Sequence, residues 1–424
     1  MGLSSKVGSF NLSSASNGAT TAVSGLGLSG ESLKVLFLWS EQSTTTTDTV
    51  VDGSIQYTMG FGTSTTSRRG VGYYSEDAAM TSDSGGVLRD DAILQFLTVA
   101  AANNGLIDIS SFDSDGFTLV NDSAVGGTYR IHYLAIWGSD ITNATVVTAS
   151  ESGSTGNQDN TAIGFQPDCA VFIGCNTLAL NTIENDCTPQ IGFAAGSTPA
   201  NACVALRAAD GSAAANTDRY SENTNCLTRI TSLGVTARAA VTAWLSNGFT
   251  LNWAEAGSST TDYAVLCIKG GAWKVGDLLT QTDTTTDIVE SGFGFQPAGA
   301  LFASHCTSES TIDTTQTEGA FSLGAFSGTS ARAAVGFLDE DGVDPMQTNY
   351  AIEHDAVYVR LFNTAVVAGL MDIKSVDSDG FTCIMDDADP DQAFVPYLAF
   401  GPSVSAGSTA IRDCIGRGIV PFRR

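Results

Sequence analysis

Ser114-Asp115-Gly116-Phe117-Thr118, Ser246-Asn247-Gly248-Phe249-Thr250 and Ser378-Asp379-Gly380-Phe381-Thr382 are one short motif written three times, each 132 residues from the next. A second landmark keeps the same step: Gly60, Gly192 and Gly324 sit in Met-Gly-Phe-Gly, Ile-Gly-Phe-Ala and Leu-Gly-Ala-Phe. Two markers in one phase mean duplication of a whole unit, not chance composition. The step far exceeds the roughly 20 to 50 residues of a solenoid repeat, so each unit is expected to bury a core of its own.

Strand signals dominate between the markers. Along Tyr129 to Trp137, the residues Tyr129, Ile131, Tyr133, Ala135 and Trp137 fall on one face. The runs Cys169-Ala170-Val171-Phe172-Ile173 and Ala300-Leu301-Phe302-Ala303 are apolar on both faces, as central sandwich strands are. The Asp-Gly and Asn-Gly steps at Gly116, Gly248 and Gly380 predict hairpin turns in which both central residues take positive φ. Gly164, Pro167, Gly294 and Pro297 mark a further turn in the second and third copies. No stretch holds a 3.6-residue period over three turns. The expectation is an all-β chain of three tandem, jelly-roll-like β-sandwiches: residues 1-138, 139-272 and 273-402, with a basic tail at 403-424.

Composition narrows the function. The chain has 424 residues, 45 acidic against 19 basic, and a net charge of −26. Such a field repels phosphate backbones, so nucleic acid is not an expected partner. Only 15% of residues are charged, so Thr, Ser, Asn and Gly must cover much of the surface. The longest apolar run near the front, Val35 to Trp39, is too short to span a bilayer, and membrane insertion is not expected. Met1 to Phe10 lacks the basic start and apolar run of a secretion signal. The nine cysteines do not recur between copies and form no CxxC pair, so most read as small buried hydrophobes in a reducing cytosol.

Candidate chemistry is sparse. Gly25-Leu26-Gly27-Leu28-Ser29-Gly30 fits the dinucleotide pattern, but it precedes a strand where the mechanism needs a helix, so it reads as a turn and no cofactor is expected. Asp113 and Asp115, with Asp377 and Asp379, are the candidate calcium ligands, since paired Asp side chains before a Gly turn offer oxygen donors. The middle copy has Leu245 and Asn247 there, which favours plain turn chemistry. His132, His305 and His354 occupy non-equivalent positions, and no nucleophile elbow or zinc-protease helix is present. Asp339-Glu340-Asp341 reads as a solvated loop, not a glycosidase acid pair. In the tail, Arg412, Arg417, Arg423 and Arg424 form a basic arm suited to an acidic neighbour.

The Gly164-Phe165-Gln166-Pro167 turn running into Cys169-Ala170-Val171-Phe172-Ile173 resembles a repeat of structural proteins from tailed bacteriophages. So does Asn247-Gly248-Phe249-Thr250-Leu251-Asn252-Trp253. The resemblance covers the second and third units; the first departs, with Gly27-Leu28-Ser29-Gly30 in place of the Gln-Pro turn. What it implies is a tail-fibre-like or lectin-like virion protein, assembled in the host bacterial cytoplasm and not an enzyme. The implied partners are other virion proteins, further copies of the chain in the particle and a host surface glycan. A capsid decoration protein is the alternative, because three repeats in one chain mimic a trimer. A carbohydrate-active enzyme is the remote one.

Overall fold

The computed structural model describes residues 2–42, 48–186, 189–232, 234–306 and 308–403. It is all-β, with one short 3₁₀ turn at Glu309–Thr311 and no α-helix among the described residues. Among the described residues no helix is long and apolar enough to cross a membrane.

The first eleven strands are β1 (Ser4–Leu12), β2 (Thr20–Ser24), β3 (Leu33–Gln42), β4 (Thr49–Asp52), β5 (Ile55–Gly62), β6 (Arg68–Ser75), β7 (Ser84–Arg89), β8 (Leu94–Thr98), β9 (Ala102–Asp113), β10 (Gly116–Ser123) and β11 (Tyr129–Trp137). The same order recurs from β12 (Ile141–Ser150) to β22 (Asp262–Gly270) and from β23 (Ala272–Leu279) to β33 (Phe394–Gly401). In the first unit, β2-β10-β9-β8 form a four-stranded outer sheet, and β1-β11-β3-β5-β6-β7 belong to a seven-stranded inner sheet.

The seventh strand of each inner sheet comes from a different unit. Strand β15 (Glu184–Asn185) pairs with β7, and β26 (Gln316–Thr317) pairs with β18 (Thr217–Glu222). Strand β4 returns to pair with β29 (Thr348–Glu353). Each unit therefore receives an edge strand from the next, and the third receives one from the first. The topology closes as a pseudo-threefold ring.

Both faces of each inner sheet are apolar because both are covered. Along β3, Leu36 and Leu38 point into the sandwich with Phe96 and Phe117, while Val35, Phe37 and Trp39 point to the ring's centre. That central core joins all three units through residues such as Phe61, Val171, Phe193, Leu301 and Phe337. Tyr57 of the first unit packs its ring 5.1 Å from Phe321 and 5.4 Å from Phe337 of the third. Near the centre, Leu134, Leu266 and Leu398, one per closing strand and 132 residues apart, line a wholly apolar void of about 20 Å³. A space with no polar lining offers a water no partners and stays dry.

The repeated glycines answer to close approach. A Cβ on Gly116, Gly248 or Gly380 would run into the carbonyl oxygen of Val23, Asn160 or Glu290 on the adjacent strand. One on Gly60, Gly192 or Gly324 would meet the Ile93, Cys226 or Val357 carbonyl. This corrects the turn expectation. The central hairpin residues are Ser114-Asp115, Ser246-Asn247 and Ser378-Asp379, none with positive φ, and the glycine already belongs to the following strand. Gly164 and Gly294 do take positive φ, at 82° and 76°. Replacing Gly248 by alanine is expected to destabilise the protein by about 1–3 kcal/mol through overpacking against Asn160. The denaturant midpoint measures it, and an unchanged midpoint would show that the strands part freely.

Candidate functional site: the ring seams and the axial collar

One end of the ring is built from three equivalent loops, 76–83, 209–216 and 340–347, each joining two inner-sheet strands. Their backbones pair reciprocally. Gly211 donates to the Ser82 carbonyl and Ser82 to that of Ser212; Gly342 donates to Ala215 and Ala215 to Val343; Ala78 donates to Met346 and Met346 to Ala79. All six bonds measure 2.8–2.9 Å. Six backbone N–H and six C=O groups thus satisfy one another around the axis.

A carboxylate reinforces each junction. Asp210 accepts the Ser84 N–H at 3.3 Å, Asp341 accepts that of Thr217 at 2.9 Å, and Asp77 accepts that of Thr348 at 2.9 Å. The Ser84 and Thr217 hydroxyls donate across the same seams to the carbonyls of Ala208 and Asp339. Sequence reading missed Asp77 and Asp210, and their equivalence to Asp341, because the three recur at steps of 133 and 131, just off the 132-residue phase. Testing for a one-residue drift would have found them.

The acidic run Asp339-Glu340-Asp341 needs a correction. Asp339 is buried, accepting the Tyr73 hydroxyl of the first unit at 3.2 Å, and burial pushes its carboxyl up to about 6. Asp341 is the seam acceptor just described. The run is a junction between units, not a solvated loop.

The four calcium candidates are each engaged within the fold. Asp113 accepts from the Ser111 and Thr118 hydroxyls at 2.7 Å, and Asp377 accepts from Ser375 and Thr382 at 2.9 Å. Asp115 accepts the N–H groups of Gly27 and Leu28 at 2.6 and 3.1 Å; Asp379 accepts those of Gly294 and Gly292 at 2.5 and 3.2 Å. Backbone donation holds the Asp115 carboxyl below its usual range. The dinucleotide-like glycine loop therefore does cradle an anion, and the anion is the chain's own Asp115. Leu26 and Leu28 are buried beneath it.

Among the described residues, one group of three potential metal donors converges: Asp48, His354 and Asp355, all exposed, where β4 meets the third unit. His354 Nδ1 lies 2.5 Å from Asp48 Oδ1. The other histidines are core residues. His132 stacks on Trp39 and His305 packs on Phe321, and burial lowers both rings to about 3, so they are neutral. Six described cysteines are free and buried. Cys175 is the exception to the expected thiols: it is disulfide-bonded. Cys187, Cys414 and the tail arginines lie outside the described residues.

No family model matches the chain, and no curated protein matches it.

The Asp339 carboxyl sets a pH dependence. Its folded value lies above the ordinary 3.8, so the fold holds a proton that the unfolded chain has released. The associated stability is full below about pH 4, falls as pH rises to about 6 and is absent above. At neutral pH the buried charge costs on the order of 3 kcal/mol. Asp339→Asn is expected to raise Tm at pH 7.5 and to raise it much less at pH 4.5. Equal effects at both pH values would show that Asp339 is not titrating in this interval.

Proposed function

We propose that the protein is a structural component of a phage particle, in which one chain supplies a threefold-symmetric body that contacts the host surface from a tail-associated position. The closed pseudo-threefold ring carries this reading. A ring whose three seams are alike presents three similar faces about one axis, which matches a partner that is itself threefold, such as the end of a trimeric fibre. The bacteriophage context comes from the Gly-Phe-Gln-Pro resemblance. Binding would be multivalent, with weak contacts multiplied across copies held on one particle.

The same symmetry favours a second reading, a decoration protein seated on local threefold axes of the capsid. Electron microscopy of intact particles decorated with antibody to this chain separates the two. Label at the tail tip is the expected result, and label spread over the head would replace it with the decoration reading.

A further inference from the structure

Because the three seams share one construction, a feature present at a single seam is not needed to close the ring. The seam between the second and third units has such a feature. A cavity of about 240 Å³ opens there, lined by Arg219 from β18, Arg360 and Phe362 from β30 (Tyr358–Phe362), and Asn363, Glu318 and Asp391. The positions corresponding to Arg219 on β7 and β29 are Gly86 and Tyr350, so neither other seam repeats its guanidinium.

The polar groups are held in place and only partly used. Arg360 donates to Asp389 at 2.6 Å and to Asp391 at 2.5 Å, which fixes its plane. Arg219 spends one nitrogen on the His305 carbonyl at 3.4 Å, and its buried Nε has no partner among the described residues. Asn363 donates to Glu340 at 2.9 Å, which leaves its amide oxygen open. Phe362 is 44% exposed at the rim, unusual for an aromatic side chain in this protein.

Charge and size select the ligand. Two guanidiniums face two carboxylates, Glu318 and Asp391, so the cavity has no net positive field to hold a phosphate or other polyanion. An apolar ligand would leave the Arg219 N–H and the Glu318 carboxylate dry and unpaired. A polyhydroxylated ring suits the set: its hydroxyls donate to carboxylates and accept from guanidinium, while its C–H face packs on Phe362. The volume lies below the roughly 300 Å³ at which drug-sized sites begin, which is room for one sugar ring.

We infer that this cavity binds one neutral hexopyranose unit of a surface glycan, with Arg219 and Asp391 gripping its hydroxyls and Phe362 against its carbon face. The inference deepens the host-contact reading and takes its biological meaning from it. Saturation-transfer NMR on the full chain tests it, using glucose, galactose, mannose and N-acetylglucosamine at millimolar concentration, with glucuronic acid as the charged arm. At least one neutral sugar is expected to respond. Arg219→Ala and Phe362→Ala are each expected to weaken that response about tenfold, while exposed Leu178→Ala, on a different surface loop, leaves it intact. No response from any neutral sugar, a response untouched by both variants, or a stronger response from glucuronic acid overturns the inference. The host-contact reading stands or falls separately: label on the head with sugar binding intact sinks that reading alone, and label at the tail with no sugar binding sinks the cavity alone.

Discussion

The second apolar face of each inner sheet is the constraint on which the rest of the structure depends. A sandwich needs one apolar face per sheet, and its outer faces are usually polar. Here Val35, Phe37 and Trp39, with their counterparts in the other units, leave each isolated sandwich with a broad apolar surface in water. Patches of that kind mark association sites. Three such faces around one axis cover one another completely, which explains why the units form a ring. In an extended arrangement the terminal units would leave theirs bare.

Closing the ring solves a second problem. A sheet of six strands would end at β7, β18 or β29 with open backbone groups, a template for pairing with other chains. The borrowed strands β15, β26 and β4 occupy those edges. The collar then ties the loops beside them, with one Asp per seam accepting a backbone N–H. Packing, edge pairing and collar all repeat the same handing-on from one unit to the next. Polar residues that look dispensable in isolation, such as Asp339 or Ser84, are thus held in place from a neighbouring unit.

The all-β class was legible because period-2 alternation and turn residues are local signals. The doubly apolar runs at Cys169 and Ala300 were legible too, although their cause was not: one face of each lies in the core shared by all three units. The turn at Gly116 was misjudged for a related reason. An Asp-Gly step looks the same in sequence whether glycine supplies positive φ or makes room for a neighbouring strand, and only the position of Val23 decides. In the sequence Asp115 reads as a calcium candidate and the Gly25–Gly30 loop as a turn, yet each is the other's partner. Their pairing spans about ninety residues, beyond any local pattern. The acidic run at Asp339 misled because charge in a turn-like stretch usually means solvent, and the covering Tyr73 belongs to another unit.

The seams themselves carry a consequence for how such a protein diversifies. In a trimer of identical short chains, any substitution appears at all three seams at once, and symmetry is preserved whatever the mutation. In this ring each seam has its own codons. Where the first and second units meet, Asp90 exchanges hydrogen bonds with Asn181; where the third meets the first, His354 faces Asp48 instead. Joining three units in one chain keeps the geometry of a trimer while releasing each junction to change alone, so a symmetric body can acquire an asymmetric surface.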